Sequence, residues 1–330
     1  MRSLQVVSLS LLAGLVGLVA CASPTDAGDE ATQVSVAPTG LDPQGGNPNQ
    51  GPHGQPEPDA PMLGVHHAKD AGAHRPGGSP LMTGHGGAIM TSSIVTPIFW
   101  GPSWSNATFA GDKVGGINRL YAGLASATSY VASVTEYTGT NGQVTSNVTS
   151  TASLTDLAVT PKSAPTTSAV LAEVCKMIGT NGVANGYYPV YTDIKRGSAG
   201  YCAWHSYGTC SGVPVQFGFF FNLDGDSGCD PQDSDTSHSQ GLAALASVTG
   251  HEWSETVTDP RNGGWYDASG NENGDKCAWT FPTTRTTTSV INPKTGAPDS
   301  WKIQGNWSNA AYTAGTGYPN SSSQKGCLPN

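Results

Sequence analysis

The most constraining feature of the sequence is a set of ionisable side chains embedded in an otherwise apolar helical stretch. Over residues 240–258, Leu242, Ala243, Ala244, Leu245, Ala246 and Val248 leave hardly any polar face. A helix apolar nearly all round is a buried helix. Ser237 with Gln240 fits a capping box at its start, and Pro260 ends it. The same stretch carries His251, Glu252 and Glu255. His251 and Glu255 are four apart, so they stand on one face, one turn apart. Burial obliges such groups to find partners. A metal ion at the junction of His251 and Glu255 satisfies them; bonds to neighbouring backbone and side chains are the alternative.

The local pattern is HExxE. In the HExxH helix of zinc proteases, two His ligands at i and i+4 hold the metal and the Glu between them is the general base. Here Glu255 takes the second ligand position and Glu252 the base position. A third ligand must come from downstream, and Glu272 or Asp275 offers it, 21 and 24 residues after His251. No HxxGxxH continuation follows, and the last methionine is Met177, so no Met-turn follows either. The expected site has His251 and Glu255 atoms within about 5 Å of each other. Glu272 or Asp275 should point at the same spot, with Glu252 beside it and open to a cleft. One His with two carboxylates is a harder donor set than that of HExxH, suited to zinc but also admitting Mn²⁺ or Ca²⁺.

The chain's other features place this helix outside the cytoplasm. Arg2 precedes an apolar run over residues 4–19, ending Leu18-Val19-Ala20-Cys21. That ending resembles a bacterial lipoprotein signal, giving a signal peptide over 1–20 and a membrane partner through lipid on Cys21. A plain secretory signal is the alternative. Residues 21–84 are rich in Pro, Gly, Asp, Gln and Asn, and read as a disordered tether in which His53, His66, His67 and His74 are solvated. The folded domain is then 85–330. Beyond Cys21 there are six cysteines, Cys175, Cys202, Cys210, Cys229, Cys277 and Cys327, an even set that reads as three disulfides in an oxidising compartment. Proximity favours Cys202–Cys210, and Cys277–Cys327 can staple the C-terminus. Only 12% of residues are charged, the net charge is -9, and no basic patch is visible, which excludes nucleic acid as a partner.

Within 85–330 the expected elements are a strand at 94–100 with Pro97 marking an edge or bulge, helices at 112–131 and 168–178, and strands at 189–194 and 213–223. Their alternation implies an α/β (α+β) single domain with a mixed sheet and a buried HExxE helix, loop-rich and disulfide-stapled. The loops at 222–230 and 267–271 alternate oxygen ligands as Ca²⁺ loops do, but neither completes the twelve-residue pattern, so turns are the favoured reading. His238 begins the long helix, too far along it to share a metal with His251. His205 either reaches the site from a neighbouring loop or is a stacked structural histidine. Trp100, Trp104, Trp265, Trp301 and Trp307 suit core packing, or a sugar-binding platform.

The stretch HEWSETVTDPRNGGWYDASGNENGDKCAW, residues 251–279, resembles the phosphate-induced protein family, known in plants as EXORDIUM. The shared features are the HExxE helix, a Thr-Asp-Pro stop, the Trp265-Tyr266 pair and the acidic segment before Cys277. His85-Gly86-Gly87 with the strand ending Trp100-Gly101 is similar to the family's start. His205 between Cys202 and Cys210, and Trp301 to Ser308, are similar to later segments. Cys175 and the Ser/Thr-rich 138–167 depart from the plant members. The resemblance implies an extracellular, zincin-like domain. The functional expectation is a surface-tethered metallopeptidase-like hydrolase acting on a peptide. A non-catalytic binding protein for a cell-wall polymer, with a structural or relic metal site, is the alternative.

Overall fold

Aromatic and β-branched runs build a mixed sheet that carries the candidate site on one face. The computed structural model describes residues 60–71 and 79–329. The signal peptide 1–20 and the tether segments 21–59 and 72–78 lie outside the described residues. Eight strands form the main sheet: β1 (Leu63–His67), β2 (Ser93–Val95), β3 (Ile98–Trp100), β4 (Val148–Ser150), β5 (Leu154–Asp156), β6 (Gly186–Lys195), β7 (Tyr201–Cys210) and β8 (Val213–Asn222). The order is β1-β7-β8-β6-β2-β4, with β3 joining β6 to β5. Pairs β1/β7 and β7/β8 are antiparallel, and the rest are parallel. The class is therefore α+β with a mixed sheet. Pro97, which has no N–H to donate, falls between β2 and β3, where the ladder shifts from β4 to β5.

Three helices flank the sheet: α1 (Lys113–Leu124), α2 (Thr167–Ile178) and α3 (Gln240–Thr258). The helix expected over 112–131 breaks after Leu124 and resumes as a short turn at Thr128–Ala132. In α3 the cap is Ser239 rather than Ser237, its hydroxyl accepting from the Leu242 N–H at 3.2 Å. Every α3 residue after Gln240 is buried. Trp253 Nε1 donates to Ser93 Oγ at 3.1 Å, and Thr249 meets the Tyr191 hydroxyl at 2.8 Å, so the helix is pinned to β2 and β6. Tyr191, Phe220 and Phe99 stack in the core beneath it.

Three disulfides join Cys175–Cys210, Cys202–Cys229 and Cys277–Cys327. The Cys277–Cys327 staple is as expected. Cys202–Cys210 is not formed, because both residues lie in β7 near its opposite ends, separated by roughly 26 Å at 3.3 Å per residue. These bridges suit an oxidising, extracytoplasmic location. Among the described residues no helix is long and apolar enough to cross a membrane.

The folded body begins before His85. Leu63–His67 forms the sheet's edge strand, with Leu63 opposite His205 and His67 opposite Tyr201. His66 is fully buried, not solvated. Trp100, Trp104, Trp301 and Trp307 are buried core residues, as the packing reading has them, while Trp265 is half-buried with its Nε1 donating to Thr138 O at 2.6 Å.

Candidate functional site

Three segments bring the site together. From α3, one helical turn places His251 Nε2 3.1 Å from Glu255 Oε2, as the i, i+4 spacing requires. From β7, His205 turns toward α3 while its neighbour Trp204 packs on Phe219, the alternation a strand imposes. From the loop after Trp265–Tyr266 come Glu272 and Asp275. That loop is built on Asp267, whose Oδ1 accepts the Ser269 and Asn271 N–H groups at 2.9 and 3.0 Å. Its other oxygen takes the buried Lys276 ammonium at 2.8 Å. Asn273 ties the loop to the helix, its Nδ2 donating to Ser254 O at 3.3 Å, and the Cys277 disulfide holds its far end.

The sequence-derived ligands converge in two groups rather than one. His251, Glu255 and Asp275 present one donor atom each, all within 4.8 Å of one another; so do His205, Glu255 and Glu272. Asp275 Oδ1 stands 3.7 Å from His251 Nε2, and Glu272 Oε1 3.3 Å from His205 Nε2. Two donors bound to one ion at ~2.0–2.2 Å are separated by roughly 2.8–3.6 Å. The His251–Glu255 and His205–Glu272 separations fall in that range, and His251–Asp275 just outside it.

The site's polar atoms are short of partners. Glu255 Oε1 accepts the Asp275 N–H at 2.8 Å. Glu255 Oε2, Glu272 Oε2, His251 Nε2, His205 Nδ1 and both Glu252 oxygens have no hydrogen-bond partner despite full burial. His251 Nε2 and Glu255 Oε2 are close in distance but not aligned for a hydrogen bond. The glycines leave the cluster its room. A Cβ on Gly274 would lie 2.8 Å from Glu255 Oε1 and 2.9 Å from His251 Nδ1.

Electrostatics follow from burial. It pushes the His251 imidazole down to about 3. Burial, then the neighbouring His251, takes His205 to about 3 as well. Both rings are therefore neutral and have a nitrogen lone pair to offer. Burial raises the carboxyls of Glu252 and Asp275 well above the usual range, and the neighbouring Glu255 adds to both shifts. Glu255 is raised chiefly by burial, and Glu272 by burial and then by Asp259 and Glu255. A crowded set of buried carboxyls beside neutral imidazoles holds either protons or cations.

A cleft of about 230 Å³ opens beside the cluster, lined by Gly64, Val65, His67, Tyr266, Glu272 and Asp275 among others. Glu252 does not line it. It is fully buried rather than open to the cleft. The His66 amide of β1 approaches its carboxyl without reaching hydrogen-bond geometry. β1 thus roofs the site: the His66 ring packs 3.8 Å from that of His251, and Gly64 passes between Glu255 and His205.

Other candidates fall elsewhere. His238 stacks on Trp301 at 4.0 Å and bonds Asp299 Oδ1 at 2.7 Å, remote from His251 in role as expected. In the 222–230 loop, Asp226 takes Arg196 and the Gly228 and Cys229 amides, and Asp224 takes Lys113, so these oxygens serve turns and ion pairs. Sequence reasoning missed Gln304, whose Nε2 sits 3.0 Å from His251 Nδ1 and 2.7 Å from Gly274 O. No sequence signal marks it. It also missed β1, for which the apolar Met62-Leu63-Gly64-Val65 run was the available signal. Comparison of the chain with protein-family models, curated proteins and solved structures finds no match.

Proposed function

We propose that this chain is an extracytoplasmic metalloprotein of the zincin-like, peptidase-like hydrolase type, with its metal on His251, Glu255 and Asp275. The observation that carries the proposal is the convergence of two buried, unpartnered α3 atoms, His251 Nε2 and Glu255 Oε2, with the partly buried Asp275 carboxyl beside a cleft. The residues fit a divalent ion. Two neutral imidazoles and several carboxylates are borderline-to-hard donors suited to Zn²⁺, with Mn²⁺ or Ca²⁺ tolerated. Such an ion supplies Lewis-acid chemistry, polarising a carbonyl and acidifying a bound water. Of the two acidic candidates we choose Asp275 as third ligand, because it groups with His251, whereas Glu272 groups with His205. Glu252 is the group free to take a proton at a carboxylate oxygen, since neither oxygen is committed elsewhere. A peptide is the substrate class proposed with it. Kinship with the phosphate-induced protein family and lipid anchoring at Cys21 belong to the same proposal.

A second reading, a non-catalytic surface protein that binds a wall polymer and keeps the helix as a structural or relic site, draws on two observations. Glu252 is sealed beneath β1. Gln304 Nε2 faces both Gly274 O and His251 Nδ1, an arrangement that makes Nδ1 the acceptor and leaves the proton on Nε2, whereas metal at Nε2 needs the reverse. Metal analysis of the purified chain, with peptide hydrolysis followed in parallel, separates the two. The hydrolase predicts bound metal, its loss in His251→Ala, and retained metal without hydrolysis in Glu252→Gln. Metal with no Glu252-dependent hydrolysis selects the second reading, and absence of metal removes the first.

A further inference from the structure

The two donor groups around Glu255 are more than one ion can use. His251 and Asp275 group with Glu255, and so do His205 and Glu272; the four do not close into a single set within 4.8 Å. Glu255 Oε2 is the hinge. It is 3.1 Å from His251 Nε2. A Cβ built on Gly64 would stand 2.1 Å from it and 2.6 Å from His205 Nε2, so the same oxygen neighbours both imidazoles. Glu255 Oε1 is already occupied by the Asp275 N–H, which leaves Oε2 as the shared atom. On the other carboxylate, Glu272 Oε1 meets His205 Nε2 at 3.3 Å while Glu272 Oε2 is unpartnered, and both residues are at least nine-tenths buried.

Formal charge points the same way. Glu252, Glu255 and Glu272 are buried and Asp275 is partly buried beside them, so four carboxyl groups crowd one place. One divalent ion offsets two negative charges, so with a single ion the remaining carboxyls must stay protonated. The adjacent cation, Lys276, is committed to Asp267. A second divalent ion balances the set. Two-metal centres of hydrolytic enzymes hold their ions ~3.5–4 Å apart, a spacing that a shared carboxylate spans.

We propose a second metal position formed by His205 and Glu272, with Glu255 bridging it to the position at His251 and Asp275, so that the site is dinuclear. This rests on reading the His251 cluster as a metal centre. The ligand class is a divalent transition ion, Zn²⁺ or Mn²⁺, in a site of one imidazole and two carboxylates per ion.

The test is Mn²⁺ loading of the metal-free full chain, read by stoichiometry and by electron paramagnetic resonance. Two equivalents with an exchange-coupled spectrum are expected. His205→Ala and Glu272→Gln should each fall to one equivalent with an uncoupled signal, keeping the ion at His251. One equivalent in the wild type overturns the second position while leaving the single metal centre standing, whether or not His205→Ala then abolishes binding. Two equivalents without coupling overturn the bridge through Glu255. No bound metal overturns the centre itself and with it the proposed hydrolase. Should His205→Ala fail to fold, the wild-type coupling and stoichiometry decide alone, and Glu272→Gln provides the second variant.

Discussion

Gly64→Ala separates a strand built into the site from a residue in a solvated tether. Gly64 has φ +47°, in the left-handed region, and its missing Cβ would lie 2.1 Å from Glu255 Oε2 and 2.5 Å from His205 Cδ2. Neither neighbour is a loose end. Glu255 is held by the Asp275 amide at 2.8 Å, and His205 sits in β7, hydrogen-bonded to strands on both sides. Left-handed backbone costs an alanine about 1–2 kcal/mol. Forcing a methyl into a filled site adds roughly 1–3 kcal/mol. The sum, about 2–5 kcal/mol, corresponds to a fall in Tm of roughly 4–20 °C for a domain of this size. Gly86→Ala is the control, since Gly86 has φ +81° and nothing within 4 Å of its Cβ position, so it bears the backbone cost alone. Urea denaturation measures both variants, and hydrogen exchange at the amides of Leu63–His67 detects β1 detaching without global unfolding. If Gly64→Ala and Gly86→Ala match within about 0.5 kcal/mol, and β1 exchange is unchanged, β1 does not roof the site.

Three further outcomes are expected. Replacing Cys277 and Cys327 by Ser, which opens a bridge over 50 residues, should cost about 4 kcal/mol by loop-closure entropy and weaken metal retention through Asp275; an unchanged urea midpoint would contradict this. Lys276→Met leaves the Asp267 carboxylate buried without its 2.8 Å partner and should cost about 3–5 kcal/mol. Adding Asp267→Asn should restore part of that, and a double variant no better than the single one counts against the pairing. Burial alone would raise the Asp233 carboxyl, but hydrogen bonds from Arg285 and the Asp235 amide outweigh it and hold it below its ordinary value of 3.8. Its folded value being depressed, its contribution is full above that ordinary value and lost as pH falls through the folded one. The stability gap between wild type and Asp233→Asn should therefore shrink below about pH 4; a gap constant from neutral pH to pH 2 refutes the assignment.

What was legible in the sequence was whatever a local period controls. The limits of α3 and the meeting of His251 with Glu255 follow from 3.6 residues per turn, and Gly179 ends α2 where a left-handed glycine, φ +58°, is needed. Disulfide pairing was legible for the C-terminal staple, Cys277–Cys327, but nearness in sequence misled for the rest. Cys202 and Cys210 are close in sequence, yet an extended strand holds them apart. The tether boundary failed for a related reason. Composition averaged over 21–84 hides the short Met62-Leu63-Gly64-Val65 run, and an edge strand of five residues needs no more than that.

The site was half legible because half of it is local. Glu255 and His251 share a helix, but the choice between Glu272 and Asp275 depended on how a loop folds around Asp267. That loop turns Asp275 toward His251, where its N–H also meets Glu255, and sends Glu272 to His205. The two acidic candidates were weighed as rivals for one position, on the premise that one ion collects every ligand. In the folded chain each has its own imidazole, one from α3 and one from β7. Only the sheet, which sets β7 against the helix, could supply the second. An i, i+4 motif therefore identified the shared carboxylate of the cluster but could not count the positions that carboxylate serves. That count is set by tertiary pairing, and the Mn²⁺ stoichiometry measures it directly.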